Sequence, residues 1–512
     1  MSNTTDREPG TESSAEAPSQ ATSDVVTEMT PDEVRRGAAG GAILEGIRGI
    51  GIRIVGVVAS VILARLLLPE DFGLIAFAIS VTFFASAIAD SGLGAGLIGR
   101  KDPPTSEELA CVVGFQLLAA GGFALIIALI ALPLGRPGAV AAVMVASLPL
   151  IAFRTPGALL FERQLRYRPL VVLDFIETLA FNAFAVTTVA LGAGVWGMAA
   201  AATFRTLVGA LCMIAISPAG LVVPSFRLKP LKPLLAFGVQ FQAVYLLLVS
   251  RGLVLNAGVA AVGGLRVLGL WAIADRFLSV LALVLQSLWR VSFPMLSRLI
   301  EAGEDTRELV ARNVGLVTFA IGLMGCVLVG AGPGLMPALL GDQYAAATIV
   351  LPAATLSLVL NVPVNVTLGG YLFAKGRPGA VLVPVIAHSL IWYAVAFPLL
   401  PLLGVAAVGV GSLAGGAAGG LLLVRAADDV DGRAIMRASW RPLLVTVIAG
   451  AAGLGGSEIG GDGLIGILAG GIGAAAVFLA GMLILDHVLV SRVRGLLTLA
   501  VREATGTAQD PG

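Results

Sequence analysis

Apolar runs long enough to cross a lipid bilayer alternate with short polar segments along nearly the whole chain. About 20 helical residues span a hydrocarbon core of about 30 Å. Fourteen such runs lie at about 41–67, 72–98, 108–132, 138–160, 169–191, 195–217, 234–258, 267–293, 309–331, 345–372, 379–401, 404–424, 441–456 and 463–487. Backbone groups in lipid must pair within the chain, so the runs are predicted to be helices. The pattern predicts an all-α polytopic membrane protein.

Composition agrees with this class. Of the 512 residues, 57% are hydrophobic and 13% are charged, and the mean hydropathy is +0.95. Soluble domains carry about 25% charged residues. The net charge of +1 says nothing about nucleic acid, and no nucleic-acid partner is predicted. The three cysteines lie singly in apolar runs, without the spacing of a metal site or disulfide framework, so no metal or cofactor is predicted.

The basic residues predict the orientation. Of the 33 Lys and Arg residues, 23 lie on one side of the fourteen-span arrangement and seven lie inside spans. The remaining three are Arg65, Arg136 and Arg266. Cytoplasmic loops are enriched in Lys and Arg. The side with 23 is therefore predicted to be cytoplasmic, and an even number of spans places both termini there.

Two related halves are indicated by an internal repeat. Phe72–Ala78 (FGLIAFA) matches Leu268–Ala274 (LGLWAIA) at an offset of 196, and Phe161 matches Phe373 at an offset of 212. Six spans per copy keep both copies in one orientation, with a substrate site between them. The predicted divisions are a disordered cytoplasmic tail (1–29), an N-terminal six-helix bundle (30–217), a cytoplasmic linker (218–233), a C-terminal six-helix bundle (234–425), helices 13 and 14 (426–490) and a cytoplasmic tail (491–512).

Charged residues inside the spans are the candidates for function, because each costs roughly 2.5–3.5 kcal/mol at a helix centre. The arginines are Arg48, Arg53, Arg154, Arg205, Arg251, Arg276 and Arg290. The acids are Glu45, Asp90, Asp174, Glu177 and Asp275. Seven positive charges against five negative ones favour an anionic ligand. The alternative is that these residues form structural ion pairs, for example between Glu45 and Arg48.

Helical periodicity places several of these residues on polar faces. In the first span, Glu45 and Arg53 share a face with small residues, while aliphatic residues form the opposite face. In the eighth, Asp275 and Arg276 lie within one polar arc. Glu45, Asp90 and Asp275 are the candidate coupling or gating carboxylates. For Asp90 a hydrogen bond between helices remains the alternative, and His388 is either a proton site or a packed histidine.

Five segments carry a family resemblance: LARLLLPEDFGLIAFA, GLIGRKD, LLFERQLRYRP, FRLKPLKPLLAFG and LGLWAIADRF with the following RVSFPMLSRL. Together they resemble the polysaccharide transporter (Wzx-type) flippases, whose superfamily includes the MATE exporters and the lipid II flippase. The resemblance covers roughly residues 35–441. It implies a MATE-like fold in the bacterial cytoplasmic membrane. Gly252 and Val254 depart from the Asn and Asp often found in the family, which argues against a coupling-ion role there.

The resemblance also implies a function, namely flipping of undecaprenyl-pyrophosphate-linked oligosaccharide for surface polysaccharide synthesis of the exopolysaccharide or O-antigen type. A polysaccharide polymerase and other assembly proteins are the implied partners, beside membrane lipids. Transport is predicted to proceed by alternating access. The pyrophosphate is predicted to bind in a central cavity to Arg48, Arg53, Arg251 and Arg276. Arginine suits this because its planar fork matches phosphate oxygens.

Two other functions are less consistent with the sequence. A MATE-like multidrug or cation antiporter would need a net acidic cavity. A membrane polymerase or ligase would need a large outer loop, whereas the longest predicted outer connection, Gly332–Tyr344, has about 13 residues. The chain is therefore predicted not to be an enzyme.

Overall fold

A computed structural model describes residues 51–504, apart from 53, 54, 91, 99, 101, 228, 302–306 and 462. Only the backbone is described at 95, 98, 233–241, 243–244, 282–301, 307, 496–497 and 499–504. The described part of the chain is helical and contains no strand. Its membrane helices are α1 (Val55–Leu66), α2 (Pro69–Asp90), α3 (Ser106–Ala131), α4 (Arg136–Phe153), α5 (Tyr167–Thr188), α6 (Gly194–Ile216), α7 (232–263), α8 (265–301), α9 (Arg307–Leu340), α10 (Leu351–Ala374), α11 (Gly379–Leu403), α12 (Ala406–Ala426), α13 (Gly432–Gly460) and α14 (Leu464–Leu485). These fourteen helices correspond to the fourteen predicted spans.

Helices α7 and α8 are continuous except at Gly264, where the backbone has φ 84° and ψ 168°. Only glycine adopts this conformation without strain. The apolar part of the pair, Tyr245–Leu281, has 37 residues. At 1.5 Å per residue it would be about 55 Å long if straight, well beyond one crossing of about 30 Å. Gly264 therefore marks the turn of a second hairpin, like the turn between α1 and α2.

Three predicted boundaries were wrong. The fourth run breaks after Phe153, and a separate helix covers Thr155–Arg163, because Pro149 and Pro156 lack the N–H that a continuous helix needs. The thirteenth span was predicted at 441–456 but extends over the 29 residues of α13. The predicted outer connection Gly332–Tyr344 is mostly helical, since α9 continues to Leu340 and a 3₁₀ helix begins at Asp342.

The ends of Thr155–Arg163 and α10 form equivalent turns. The N–H of Arg166 donates to the carbonyl of Phe161 at 2.9 Å, and that of Arg377 donates to Leu372 at 2.8 Å. The left-handed residue is Leu165 in the first turn and Gly376 in the second, with φ 53° and 70°. Both motifs are helix C-caps of the Schellman type. They are 211 residues apart, so the predicted offset of 212 for this pair of segments was wrong by one residue.

Helices α13 and α14 pack against α9 through glycines. A Cβ added at Gly453 would lie 2.8 Å from the Cα of Gly330, and one at Gly470 would overlap the Gly330 carbonyl. Such small residues let helix backbones approach closely in membranes, where packing rather than the hydrophobic effect drives association. These two helices therefore make close backbone contact with the second half of the repeat.

The orientation of the bundle can be tested by labelling. In a variant lacking the three native cysteines, a cysteine at Glu70 or Glu458 is expected to react with an impermeant thiol reagent added to intact cells. A cysteine at Ser106 or Gln164 is expected to react only after the membrane is permeabilised. The reason is the excess of basic residues on the side of Ser106 and Gln164. Labelling of Gln164→Cys in intact cells would contradict the orientation.

Candidate functional site

The turn between α1 and α2 packs against the α7–α8 turn and the end of α9. We call this contact the hairpin seam. Its members are Ser60, Ala64, Arg65, Leu67, Pro69, Phe72, Gly73, Leu265, Gly269, Arg276, Ala338, Leu339, Gln343 and Tyr344. The seam joins residues of the two sequence repeats.

At its centre, α2 and α8 meet backbone to backbone. A Cβ added at Gly73 would overlap the carbonyl of Leu265 and lie 2.9 Å from the nitrogen of Gly269. A Cβ at Gly269 would overlap the carbonyl of Pro69 and lie 2.9 Å from the nitrogen of Gly73. The two glycines are 196 residues apart, as are Pro69 and Leu265. Such reciprocity is what a local twofold relation between the two hairpins produces.

Hydrogen bonds surround this crossing. The Arg65 guanidinium donates to the carbonyls of Ala338 at 2.6 Å and Leu339 at 2.9 Å, at the negative end of the α9 dipole. The Gln343 amide donates to the carbonyl of Ala64 at 2.9 Å and to that of Leu67 at 3.1 Å. The Tyr344 hydroxyl donates to the same Leu67 oxygen at 3.0 Å. These bonds satisfy helix-end carbonyls and close the seam.

Arg276 extends the seam from α8. Its guanidinium donates to the Ser60 hydroxyl of α1 and lies over the Phe72 ring, with 5.2 Å from Cζ to the ring centroid. The Phe72 ring in turn meets the Tyr344 ring edge-on at 5.8 Å. Asp275 and Ser279, next to Arg276 on the polar arc of α8, are exposed. Because charge is costly against lipid, this arc is expected to face a water-filled space.

Arg251 lies at a separate place. It is half-buried on α7, beside a cavity of about 240 Å³ whose walls include Ser250, Ser389 and Tyr393. The Tyr393 hydroxyl donates to the Arg251 carbonyl at 2.9 Å. This brings α7 and α11 together, and it does not place Arg251 beside the seam.

His388 is a packed histidine. Its Nδ1 lies 3.0 Å from the Asn361 amide nitrogen, and its ring meets the Trp392 ring edge-on at 5.7 Å. The side chain is buried. Of the two interpretations of this residue, the structure supports the packed one.

Among the in-span arginines that the structure describes, Arg154 and Arg205 form ion pairs within the first half. Arg154 contacts Asp174 and lies 3.0 Å from Glu177, and Arg205 lies 3.4 Å from Glu177. The Glu177 side chain is only 4% exposed. For these residues the structural alternative is correct, since charges buried together need partners.

Of the remaining predicted residues, some lie outside the part of the chain that the structure describes, and Asp90 lies within it. Glu45, Arg48 and Arg53 lie outside the described residues, as does the side chain of Arg290. Asp90 is described, is exposed, and accepts a hydrogen bond from the Gln116 amide at 3.3 Å. The pyrophosphate site formed by Arg48, Arg53, Arg251 and Arg276 therefore stays a prediction.

Comparison with known proteins decides the family. A family model described as a polysaccharide biosynthesis protein matches residues 62–349, which is more than half of the chain. The chain belongs to this polysaccharide biosynthesis protein family. The succinoglycan biosynthesis transport protein ExoT of Rhizobium meliloti (strain 1021) is 27% identical over 342 residues, covering 63% of this chain. The match covers 66% of ExoT, just under two thirds of its length.

Solved structures show the same fold for this family member. The lipid II flippase MurJ, in an inward closed conformation, matches 88% of this chain and 100% of its own, with TM-score 0.62 and 14% identity. An inward-facing multidrug resistance MATE family transporter of the MOP superfamily matches 76% and 94%, with TM-score 0.53 and 16% identity. The predicted MATE-like architecture and the resemblance to polysaccharide flippases are confirmed.

Sequence reasoning missed most of the seam of this family member. Gln343 and Tyr344 fell in a segment interpreted as an outer connection, and neither carries a charge that would have singled it out. Gly73 and Gly269 did have a signal, because they occupy the same position in FGLIAFA and LGLWAIA. Equivalent glycines in two copies of a hairpin indicate a close contact on the axis that relates them.

Gly209 provides a test of the structural ion pairs. A Cβ there would overlap Oε1 of Glu177, so Gly209→Ala is expected to displace this carboxylate from Arg154 and Arg205. Overpacking of this kind costs about 1–3 kcal/mol. The purified variant should unfold at a lower temperature than the parent protein, as followed by thermal unfolding in detergent. Gly121→Ala, where nothing lies within 4 Å of the new Cβ, is the matched control. Equal stability of the two variants would contradict the assignment.

Proposed function

We propose that this protein moves a lipid-linked oligosaccharide across the bacterial cytoplasmic membrane by alternating access, for surface polysaccharide synthesis. The family is that of polysaccharide biosynthesis proteins, and ExoT is named as a transport protein. The hairpin seam is the observation that carries the proposal. It joins the two repeats reciprocally, and the polar arc of α8 continues from it toward the membrane interior.

The protein is proposed to bind its substrate through the pyrophosphate group. Arg48, Arg53, Arg251 and Arg276 supply the positive charge, and a guanidinium can bind two phosphate oxygens at once. The oligosaccharide would lie in the water-filled space along α8, while the polyprenyl tail stays in lipid. Glu45, Asp90 and Asp275 remain the proposed coupling or gating carboxylates.

Both termini are proposed to be cytoplasmic, which places the hairpin seam at the outer face. Release to that face requires the seam to part. A neutral hydrogen bond of the seam contributes about 0.5–1.5 kcal/mol net and one from a charged arginine about 1.5–3 kcal/mol, so a handful of them can be broken reversibly. The two bodies that rock are proposed to be 30–217 and 234–425, joined by the linker 218–233. The chain needs no cofactor in this mechanism and is proposed not to be an enzyme.

The function is tested by deletion of the gene. Cells are expected to lose a surface polysaccharide while its lipid-linked precursor accumulates on the cytoplasmic side, since synthesis continues without translocation. Expression of the intact chain should restore the polymer. Undiminished polymer without accumulated precursor would overturn the proposal. Drug susceptibility measured on the same strains would reveal a multidrug antiporter instead.

A further inference from the structure

The chain between α6 and α7 is held against the first half. Residues 221–227, which we call the linker segment, form neither helix nor strand and run along α3. The N–H of Ser225 donates to the carbonyl of Ala110 at 2.8 Å, and a Cβ added at Gly114 would overlap the carbonyl of Ser225. Val222 packs against a buried apolar cluster formed by α3 and its neighbours. One side of the linker segment is therefore fixed to the helices of the first half.

These contacts place the linker segment at the membrane surface. Helix α3 begins at Ser106, and Ala110 and Gly114 follow it by about one and two turns, that is, by about 6 and 12 Å. The interfacial layer on each side of the hydrocarbon core is about 5–8 Å thick. A chain that is bonded to α3 at this level lies where lipid headgroups meet acyl chains.

The other side of the linker segment is apolar and exposed. The side chains of Leu221, Val223 and Phe226 are 60%, 72% and 59% exposed. Val222 and Ser225, which alternate with them, are the residues that contact α3. Opposite faces of this kind are what an extended chain produces. Three bulky apolar side chains on one exposed face indicate a covered surface, and at this depth the acyl chains of lipids would cover it.

Basic residues continue the exposed face. Arg227, Lys229 and Lys232 are all exposed. Arg227 lies 3.5 Å from Glu107, but both side chains are exposed, so the pair is weak and leaves the guanidinium able to bind another anion. Apolar residues beside basic ones are typical of segments that lie on membranes containing anionic lipid. The charge of this face therefore complements a phospholipid headgroup with a net negative charge.

We propose that the linker segment is an anchor for anionic phospholipid. Its three exposed apolar side chains enter the acyl region, and the three basic side chains that follow bind lipid phosphates. The segment is bonded to α3 and leads directly into α7, so a bound lipid holds the joint between the two halves at a fixed depth in the membrane. This goes beyond the proposed function, because lipid binding can be measured without any transported substrate.

A fluorophore at position 226 tests where the segment lies. It is attached to Phe226→Cys in a full-length variant that lacks the three native cysteines, in phospholipid nanodiscs. Lipids that carry a nitroxide on the acyl chain are expected to quench it. A fluorophore at Asp428→Cys, in the exposed loop between α12 and α13, should be quenched at least fivefold less. Equal quenching at the two positions would overturn the proposal. If Phe226→Cys does not accumulate, Val223→Cys on the same face is labelled instead.

The preference for anionic lipid is measured with the same fluorophore. Nitroxide-labelled phosphatidylglycerol should bind beside position 226 at least tenfold more tightly than phosphatidylcholine, because each basic residue near the surface contributes about fivefold in binding. Replacing the three basic residues of the anchor together (Arg227→Gln, Lys229→Gln and Lys232→Gln) should bring this ratio close to one. The matched control removes three exposed arginines of the second half and should leave the ratio unchanged: Arg425→Gln, Arg433→Gln and Arg437→Gln. A ratio near one in the parent protein, or a preference that survives in the anchor variant, would overturn the proposal.

Discussion

Changing Gly73 and Gly269 together to alanine is expected to keep the hairpin seam from closing and to reduce transport at least tenfold. Each new Cβ would overlap a carbonyl of the facing helix, and neither backbone can move without displacing the other. Each change should cost the closed state about 1–3 kcal/mol, which corresponds to about 5–150-fold in the equilibrium between closed and open seams. Helix propensity acts in the opposite direction, since alanine stabilises a helix relative to glycine by about 0.5–1 kcal/mol. A loss of transport therefore has to come from the contact.

The state of the seam can be measured directly. Ala64 is completely buried and lies in the seam, so a cysteine there should react slowly with an impermeant thiol reagent. In the double alanine variant the reaction should be faster. Gly121→Ala with Gly122→Ala in α3 is the matched control, because both added Cβ atoms meet open space. Unchanged reactivity together with normal transport would show that the seam does not control access.

Arg276→Ala is expected to lower transport by about 100-fold or more while the protein still accumulates in the membrane. Hydrogen bonds to charged groups are worth about 1.5–3 kcal/mol each, and a bidentate contact with pyrophosphate makes two of them. Arg276→Lys should recover part of the loss, because lysine keeps the charge without the planar fork. Transport is measured by restoration of the surface polymer, and binding by polyprenyl pyrophosphate titrated onto the purified variant.

Ser60→Ala separates substrate binding from seam closure. It removes the hydroxyl that accepts from Arg276 and leaves the guanidinium in place. This is one hydrogen bond to a charged group, worth about 1.5–3 kcal/mol, so the loss of transport should be smaller than that of Arg276→Ala and pyrophosphate binding should persist. If Ser60→Ala is as damaging as Arg276→Ala, Arg276 acts through the seam alone.

The number and type of helices could be predicted because lipid leaves the backbone few choices. Apolar length and helical hydrogen bonding determine each crossing, whichever side chains are present. The ends of the helices were predicted less accurately where individual residues such as proline determine them. Pro149 and Pro156 divided a continuous apolar run, whereas the glycines of α13 did not shorten it, because packing against α9 and α14 compensates for their low helix propensity.

The candidate site was harder to predict, since a count of charges does not say which of them pair. Arg154 and Arg205 had the same standing in the sequence as Arg276, yet they meet Glu177 across three helices, in a space left by Gly209. Contacts of this kind depend on how α5 and α6 are rotated about their axes. That Gln116 is the donor to Asp90 could not be anticipated either, because a neutral glutamine in an apolar run gives no sign of what surrounds it.

Because the contact between Gly73 and Gly269 is reciprocal, the residue allowed in one hairpin depends on the backbone of the other. Here a side chain gained at position 73 presses on the backbone at position 265, and one gained at 269 presses on that at position 69. Neither hairpin can carry a larger residue in place of its glycine without deforming the backbone of the other hairpin. At these four positions the two hairpins therefore have to keep matching backbone shapes.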